Sequence, residues 1–239
     1  MKEKVVIVTG ASSGIGRAVS LQLAKEKERS LVLVARKRLE LDKVVEQVKF
    51  AGSSLAGIPC DVSNRTEVDE LLVKMDTDGL ICTNLIHCAG IGQNHILVET
   101  DYEEYERIMN TNMRSTYMLT KAFLPQMLRR KTGKIILIGS VSGFRGGPQE
   151  TIYAASKFAQ WGFAQALDAE VREQGVKVTY LAPGGVKTKF DQTIGRPEKP
   201  DHELLTPESV AEAVSFVLQQ SGNARVPYLA MRPMSEGMI

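Results

Sequence analysis

The chain has 239 residues, 43% of them hydrophobic and 24% charged, with a formal net charge of +2. That balance suits one autonomous globular domain spanning 1–239, in which every functional group must be housed. It excludes a disordered tail and, without a long basic run, the electrostatic footprint of a nucleic-acid binder; the short cluster Arg129, Arg130 and Lys131 reads as a solvated helix end.

The first strand is expected at Val5 to Thr9, directly after Met-Lys-Glu-Lys, so no signal peptide is expected. Further strands are predicted at Leu31 to Ala35, Leu55 to Pro59, Leu85 to Cys88, Lys134 to Gly139, Val176 to Ala182 and Val226 to Met231. Helix-period segments lie between them at Gly14 to Lys25, Leu39 to Phe50, Val68 to Met75, Asp101 to Arg130 and Tyr153 to Gln174. Asp101 with Glu104 forms a capping-box-like start, Thr206 before Pro207 and Glu208 an N-cap, and Gly175 a helix stop. The strict alternation predicts an α/β fold: a doubly wound, mainly parallel seven-stranded sheet with helices on both faces. Residues 187–205, with Gly195, Pro197 and Pro200, read either as a substrate flap or as a plain surface connection. No apolar segment approaches the ~20 residues of a membrane span. Cys60, Cys82 and Cys88 are odd in number and lack metal-ligand spacing, so neither disulfides nor a metal site is expected, and the compartment is read as reducing, hence cytoplasmic.

Thr9 to Gly16 carries Gly10, Ser12, Ser13, Gly14, Ile15 and Gly16 immediately after the first strand and opens the first helix. Backbone without Cβ atoms lets a diphosphate approach, and N–H groups at a helix start meet its charge. This reads either as the Rossmann signature of dinucleotide binding, although its spacing departs from G-x-G-x-x-G, or as a glycine-rich strand-to-helix turn with no ligand. The second strand ends in Ala35-Arg36-Lys37-Arg38, with no carboxylate for ribose hydroxyls. An arginine there accommodates a 2′-phosphate, so NADP(H) is preferred over NAD(H), with Arg36 favoured over Lys37 and Arg38. Asp61, after the third strand, is either an acceptor for the adenine amino group or an ordinary turn aspartate.

A tyrosine and a lysine four apart on a helix share one face, and a nearby ammonium favours the phenolate. The pattern occurs twice, at Tyr117 with Lys121 and at Tyr153 with Lys157. Tyr153 opens a helix after the fifth strand, whose end delivers Ser140 to the carboxyl edge of the sheet, where ligands bind in open α/β folds. Tyr117 lies inside a long helix. Tyr153 and Lys157 are therefore the chemical pair, and Tyr117 and Lys121 packing or interface residues.

Together these motifs resemble the short-chain dehydrogenase/reductase family: T-G-x-x-x-G-x-G as Thr9 to Gly16, a serine as Ser140, Y-x-x-x-K as Tyr153 to Lys157, and a P-G-x-V-x-T-like segment as Pro183 to Thr188. The resemblance implies that Val62, Ala89, Gly90, Pro183, Gly184, Val186 and Thr188 join Tyr153 and Lys157 in binding the dinucleotide. It implies that Asn112 holds a water in a proton relay, and that Ser140 and Tyr153 engage a carbonyl while Lys157 binds the nicotinamide ribose. It further implies a homo-dimer or homo-tetramer. One departure is His87-Cys88-Ala89-Gly90 where the family usually has N-N-A-G; His87 reads as a satisfied buried histidine.

Substrate contacts are expected from Ser142, Phe144, Gln149, Gly185, Phe190 and Gln192, of which Phe144, Phe190 and Gln192 read equally as local packing, without identifying a substrate beyond a small carbonyl or alcohol. A 3-oxoacyl-[acyl-carrier-protein] reductase would use Arg129, Arg130 and Arg172 to dock an acidic carrier. The ending Pro227 to Pro233 lacks the D-G-G-like sequence common among those enzymes and resembles the broad-specificity carbonyl reductases instead. A non-catalytic redox sensor would have no need of the complete Asn112, Ser140, Tyr153 and Lys157 set.

Overall fold

The computed structural model describes residues 3–26, 30–50, 55–197 and 199–237. Strands and helices alternate as β1 (Glu3–Thr9), α1 (Gly14–Lys25), β2 (Ser30–Ala35), α2 (Arg38–Phe50), β3 (Leu55–Pro59), α3 (Arg65–Thr77) and β4 (Leu80–His87). They continue as α4 (Tyr102–Met109), α5 (Ser115–Arg130), β5 (Gly133–Ile138), α6 (Thr151–Val171), β6 (Val176–Pro183), α7 (Phe190–Thr193), α8 (Pro207–Gln219) and β7 (Tyr228–Met231). The strands form one seven-stranded sheet in the order β3-β2-β1-β4-β5-β6-β7, each pair parallel. This is the predicted doubly wound Rossmann fold. The order reverses between β1 and β4, which opens a crevice at their carboxyl ends.

Successive strand residues point to opposite faces, so the sheet builds two cores. Val5 and Ile7 of β1 join Leu71, Phe123 and Leu167 from α3, α5 and α6. Val6 and Val8 join Val19, Leu41 and Val214 from α1, α2 and α8. Burial on both faces explains why the strands read as unbroken apolar runs. The predicted caps form: Asp101 Oδ1 accepts from Glu104 N at 2.7 Å, Thr206 Oγ1 accepts from Ser209 N at 3.1 Å, and Gly175 takes φ +78°.

Several element ends shift by one to three residues, α3 among them at Arg65–Thr77, and three differences bear on the site or the sheet. β4 begins at Leu80, because polar Thr83 and Asn84 mask its first half; the register with β1 skips Thr83, whose hydroxyl donates to Val5 O at 2.9 Å. β7 starts at Tyr228, two residues late. The helix expected over Asp101 to Arg130 is interrupted by a π turn at Asn110–Arg114. Such turns release carbonyls from the i→i+4 ladder and cluster at functional sites. Here Ser115 Oγ donates to Thr111 O at 2.6 Å and Thr116 Oγ1 to Asn112 O at 2.8 Å. Among the described residues no helix is long and apolar enough to cross a membrane.

Candidate active site

The carboxyl ends of β1, β4, β5 and β6 open on one cleft of about 1510 Å³. Gly10, Ser12, Ser13, Gly14, Ile15, Gly16, Arg36, Asp61 and Val62 line it toward the β2–β3 side, and Ser140, Tyr153, Lys157 and Phe190 toward β5 and β6. At Gly10, with φ +61°, a Cβ would stand 2.9 Å from the backbone of Ala89, and at Gly16 it would stand 2.3 Å from Gly10 O. These positions tolerate no side chain, which keeps the turn pressed onto the loop after β4. Thr9 secures that loop by accepting from Cys88 N at 3.1 Å and Ala89 N at 3.2 Å. α1 begins with no side-chain cap at Ser13 and no acidic residue in its first turn, whereas α3, α4 and α8 are each capped by a side chain.

Strand β5 ends at Ile138, and the chain turns sharply so that Ser140 meets the first turn of α6. Tyr153 shares a hydrogen bond with the Ser140 side chain. Ser140 Oγ also accepts from Ser142 N at 3.0 Å. Lys157, one helical turn beyond Tyr153, carries its Nζ 5.7 Å from the tyrosine ring centroid. The expected lowering of the phenol by this ammonium is not what the structure contains. Burial pushes Tyr153 up to about 12, and the Ser140 hydrogen bond offsets only part of that. The ammonium turns instead toward Ile138 O at 3.2 Å and Gln160 Oε1 at 2.9 Å, and burial pushes Lys157 down to about 8.

A glycine turn at a helix start, a serine and a Tyr-x-x-x-Lys pair thus share one cleft, and a family model described as short chain dehydrogenase matches residues 4–199. The chain belongs to the short-chain dehydrogenase family. Uncharacterized oxidoreductases of Staphylococcus aureus (strain MRSA252) and Staphylococcus saprophyticus are 34% and 32% identical to it over 235 residues, covering 98% of this chain and 99% of each relative. An alcohol dehydrogenase from the archaeon Thermococcus sibiricus, complexed with 5-hydroxy-NADP, superimposes with a TM-score of 0.90 at 28% identity over 99% of both chains. A short-chain dehydrogenase from Sphingobium yanoikuyae in complex with NADPH gives 0.85 at 25% identity, covering 98% of this chain and 89% of that one.

In this short-chain dehydrogenase Ala89, Gly90, Pro183, Gly184, Gly185, Val186 and Thr188 line the cleft, as does Ser142. Asp61 lines it too, while its Oδ1 accepts from Ser63 N at 2.9 Å and Ser63 Oγ at 2.7 Å, so the turn role is in place. Arg36 is exposed and, among the described residues, makes no ion pair; Lys37 and Arg38 are paired with Glu40 and Asp42 on α2. Phe190 packs on Tyr153 with centroids 5.7 Å apart, and Gly92 leaves room for its ring.

Other expectations are corrected. Phe144 does not line the cleft: its ring is held edge-on by Trp161 at 5.1 Å and Tyr180 at 5.6 Å, beneath the sheet edge. Gln149, at φ +63°, turns the chain and gives its carbonyl to His95 N; neither it nor Gln192 lines the cleft. Asn112 is fully buried, and its amide brackets Ile91 by donating to Ile91 O and accepting from Ile91 N, both at 2.9 Å. Its backbone carbonyl accepts from Thr116 Oγ1 and Gln160 Nε2. His87, in line with the expectation, is buried against Thr120 Oγ1 at 3.2 Å and pushed down to about 3 by burial, so it is a neutral packing histidine. Tyr117 and Lys121 form an exposed surface pair at 3.1 Å.

Three residues escaped the sequence reading. Tyr180 of β6 lies under Ser140: its hydroxyl accepts from Ser140 N at 3.2 Å and faces Ser140 O at 3.1 Å and Lys157 O at 3.2 Å. Its ring fills space left by Gly139 and Gly143, where a Cβ would stand about 2.0 Å away. Glu150 joins two loops, accepting from Ser142 Oγ at 3.0 Å and Gly147 N at 2.9 Å while its other oxygen faces Arg196 at 3.7 Å. Gln160 holds Lys157. The glycines before and after Ser140 were the only sequence hint of a bulky neighbour.

Proposed function

We propose that this oxidoreductase interconverts a carbonyl and a secondary alcohol of a small molecule using NADP(H). The observation that carries the reading is the meeting of Ser140, Tyr153 and Lys157 in the cleft that also contains the glycine turn and Arg36, with the Lys157 ammonium 5.7 Å from the Tyr153 ring centroid. The uncapped, acid-free start of α1 suits a diphosphate, and Arg36, which is exposed and makes no ion pair among the described residues, suits a 2′-phosphate. The bound dinucleotide supplies the hydride. In reduction Ser140 Oγ donates a hydrogen bond to the carbonyl oxygen, and Tyr153 gives its proton to that oxygen as it becomes an alkoxide. The ammonium of Lys157 then stabilises the phenolate that remains. A phenol held near 12 suits the acid role, because it stays protonated until an alkoxide, a stronger base than phenolate, forms.

Residues 187–205 act as the substrate flap in this reading. Their ends are pinned by Lys187 N to Leu205 O and Leu205 N to Gly185 O, both at 2.8 Å, while Phe190 reaches Tyr153; Glu198 lies outside the described residues. The carrier-protein alternative is weakened by Arg130, whose guanidinium donates to Cys82 O at 2.7 Å and so holds the helix end to β4. We place the protein in the cytoplasm on its three free thiols, and as a homo-oligomer on the exposed Tyr117 and Phe158 of α5 and α6. The test is NADPH and NADH oxidation against ketones, diketones, oxoacyl thioesters and, in reverse, hydroxy acids. Carbonyl-dependent NADPH consumption is expected, and none with any substrate class, despite cofactor binding, rejects the proposal in favour of a sensor.

A further inference from the structure

Lys157 is 4% exposed, and its ammonium is held by two acceptors, Ile138 O at the end of β5 and Gln160 Oε1 on α6. Gln160, 1% exposed, lies one turn further along the same helix. Its amide nitrogen donates to Asn112 O at 2.9 Å and Thr116 Oγ1 at 2.8 Å. The orientation is forced, since an ammonium only donates and must meet the oxygen, which leaves the NH₂ for the two acceptors. Thr116 Oγ1 donates its own proton to Asn112 O, so both amide hydrogens of Gln160 and the hydroxyl of Thr116 are used.

We propose that Gln160 is a positioning residue for Lys157, clamping its ammonium to the π turn. This rests on the role given to Lys157 above. A buried ammonium keeps its charge only as far as its acceptors compensate for lost water. The other groups facing Lys157 are Tyr153 on its own helix and the Cys88 thiol on the loop after β4. Both are neutral at physiological pH, since burial pushes each up to about 12. The charge on Lys157 therefore depends on two carbonyl oxygens, one of which is Gln160 Oε1.

The test follows the Lys157 side chain directly, by NMR titration of the full-length protein labelled with ¹³C and ¹⁵N in lysine, the signal being assigned by its loss in Lys157→Met. Gln160→Met removes the acceptor at nearly constant volume, and its Lys157 midpoint should fall by roughly one pH unit. Gln160→Glu places a carboxylate beside the ammonium, and the midpoint should rise above wild type. The alkaline limb of kcat for carbonyl reduction should move in the same two directions, with KM little changed. Wild-type midpoints in both variants overturn the proposal. If Gln160→Met does not fold, Gln160→Glu decides alone, and a midpoint at or below wild type overturns it. Because the titration needs no turnover, the two readings separate. Full turnover in Lys157→Met sinks the assignment of Lys157, whereas an immobile midpoint beside an inactive Lys157→Met sinks only the role of Gln160.

Discussion

Replacing Tyr153 by Phe removes one oxygen and leaves the ring that packs on Phe190. The lost hydroxyl is the proton donor of the proposed reaction, and general acid catalysis of this kind is worth about 10²- to 10⁴-fold in rate. At ~1.36 kcal/mol per decade, the barrier to reduction should rise by about 3 to 5 kcal/mol. The folded state should barely notice: one hydrogen bond with Ser140 disappears, but so does the burial of a polar group, leaving a net change of about 1 kcal/mol or less. NADPH affinity should hold, since the glycine turn, Arg36 and Lys157 are untouched. The assay is kcat from NADPH absorbance with the best carbonyl found, together with the NADPH Kd and Tm of the variant. Turnover within about tenfold of wild type would refute the assignment of Tyr153. A large loss accompanied by an equal loss of cofactor affinity would refute the reasoning equally, because it would make the hydroxyl a binding group.

Arg36→Asp should weaken NADPH by about 10- to 100-fold and NADH far less, measured as two Kd values; equal losses would put the 2′-phosphate contact elsewhere. Tyr180→Phe orphans the Ser140 N–H and should cost ~1–3 kcal/mol in stability, read as a lower Tm, while reducing kcat more than NADPH affinity. An unchanged Tm would mean that the Ser140 backbone has another partner. Reduction should decline as pH rises above about 8, where Lys157 loses its charge, and a flat profile to pH 10 or so would remove the ammonium from the mechanism. Stability runs the other way. Lys157 is lowered in the folded state from 10.5 to about 8, so the unfolded chain holds the extra proton across that window, and the lysine's unfavourable contribution shrinks as pH rises through it. The Tm advantage of Lys157→Met over wild type should therefore be greatest below pH 8 and smaller at pH 10.

Much of the fold was legible because its signals are local. The apolar runs from Val5, Leu31 and Val176 are buried on both faces, and caps such as Asp101 and Thr206 act within one helical turn. β4 was half hidden because Thr83 and Asn84 face a bulge, and the π turn at Asn110–Arg114 has no composition of its own; hydroxyls and an amide from neighbouring turns and from α6 support it. Of the aromatic residues proposed for the substrate wall, Phe190 reaches Tyr153 and Phe144 does not, although nothing in their immediate neighbours separates them.

By itself the sequence determined the order of the elements, the glycine turn at the start of α1 and the grouping of Ser140, Tyr153 and Lys157, since turn chemistry and helical spacing act over a few residues. Tertiary structure decided which groups those residues meet. Gln160 reaches Asn112 and Thr116 across 48 and 44 positions, and Tyr180 reaches Ser140 across 40. Such partners, and the burial that pushes Tyr153 up and Lys157 down in pKa, arise only when sheet and helices pack, because desolvation is a property of the assembled site and not of any stretch of chain.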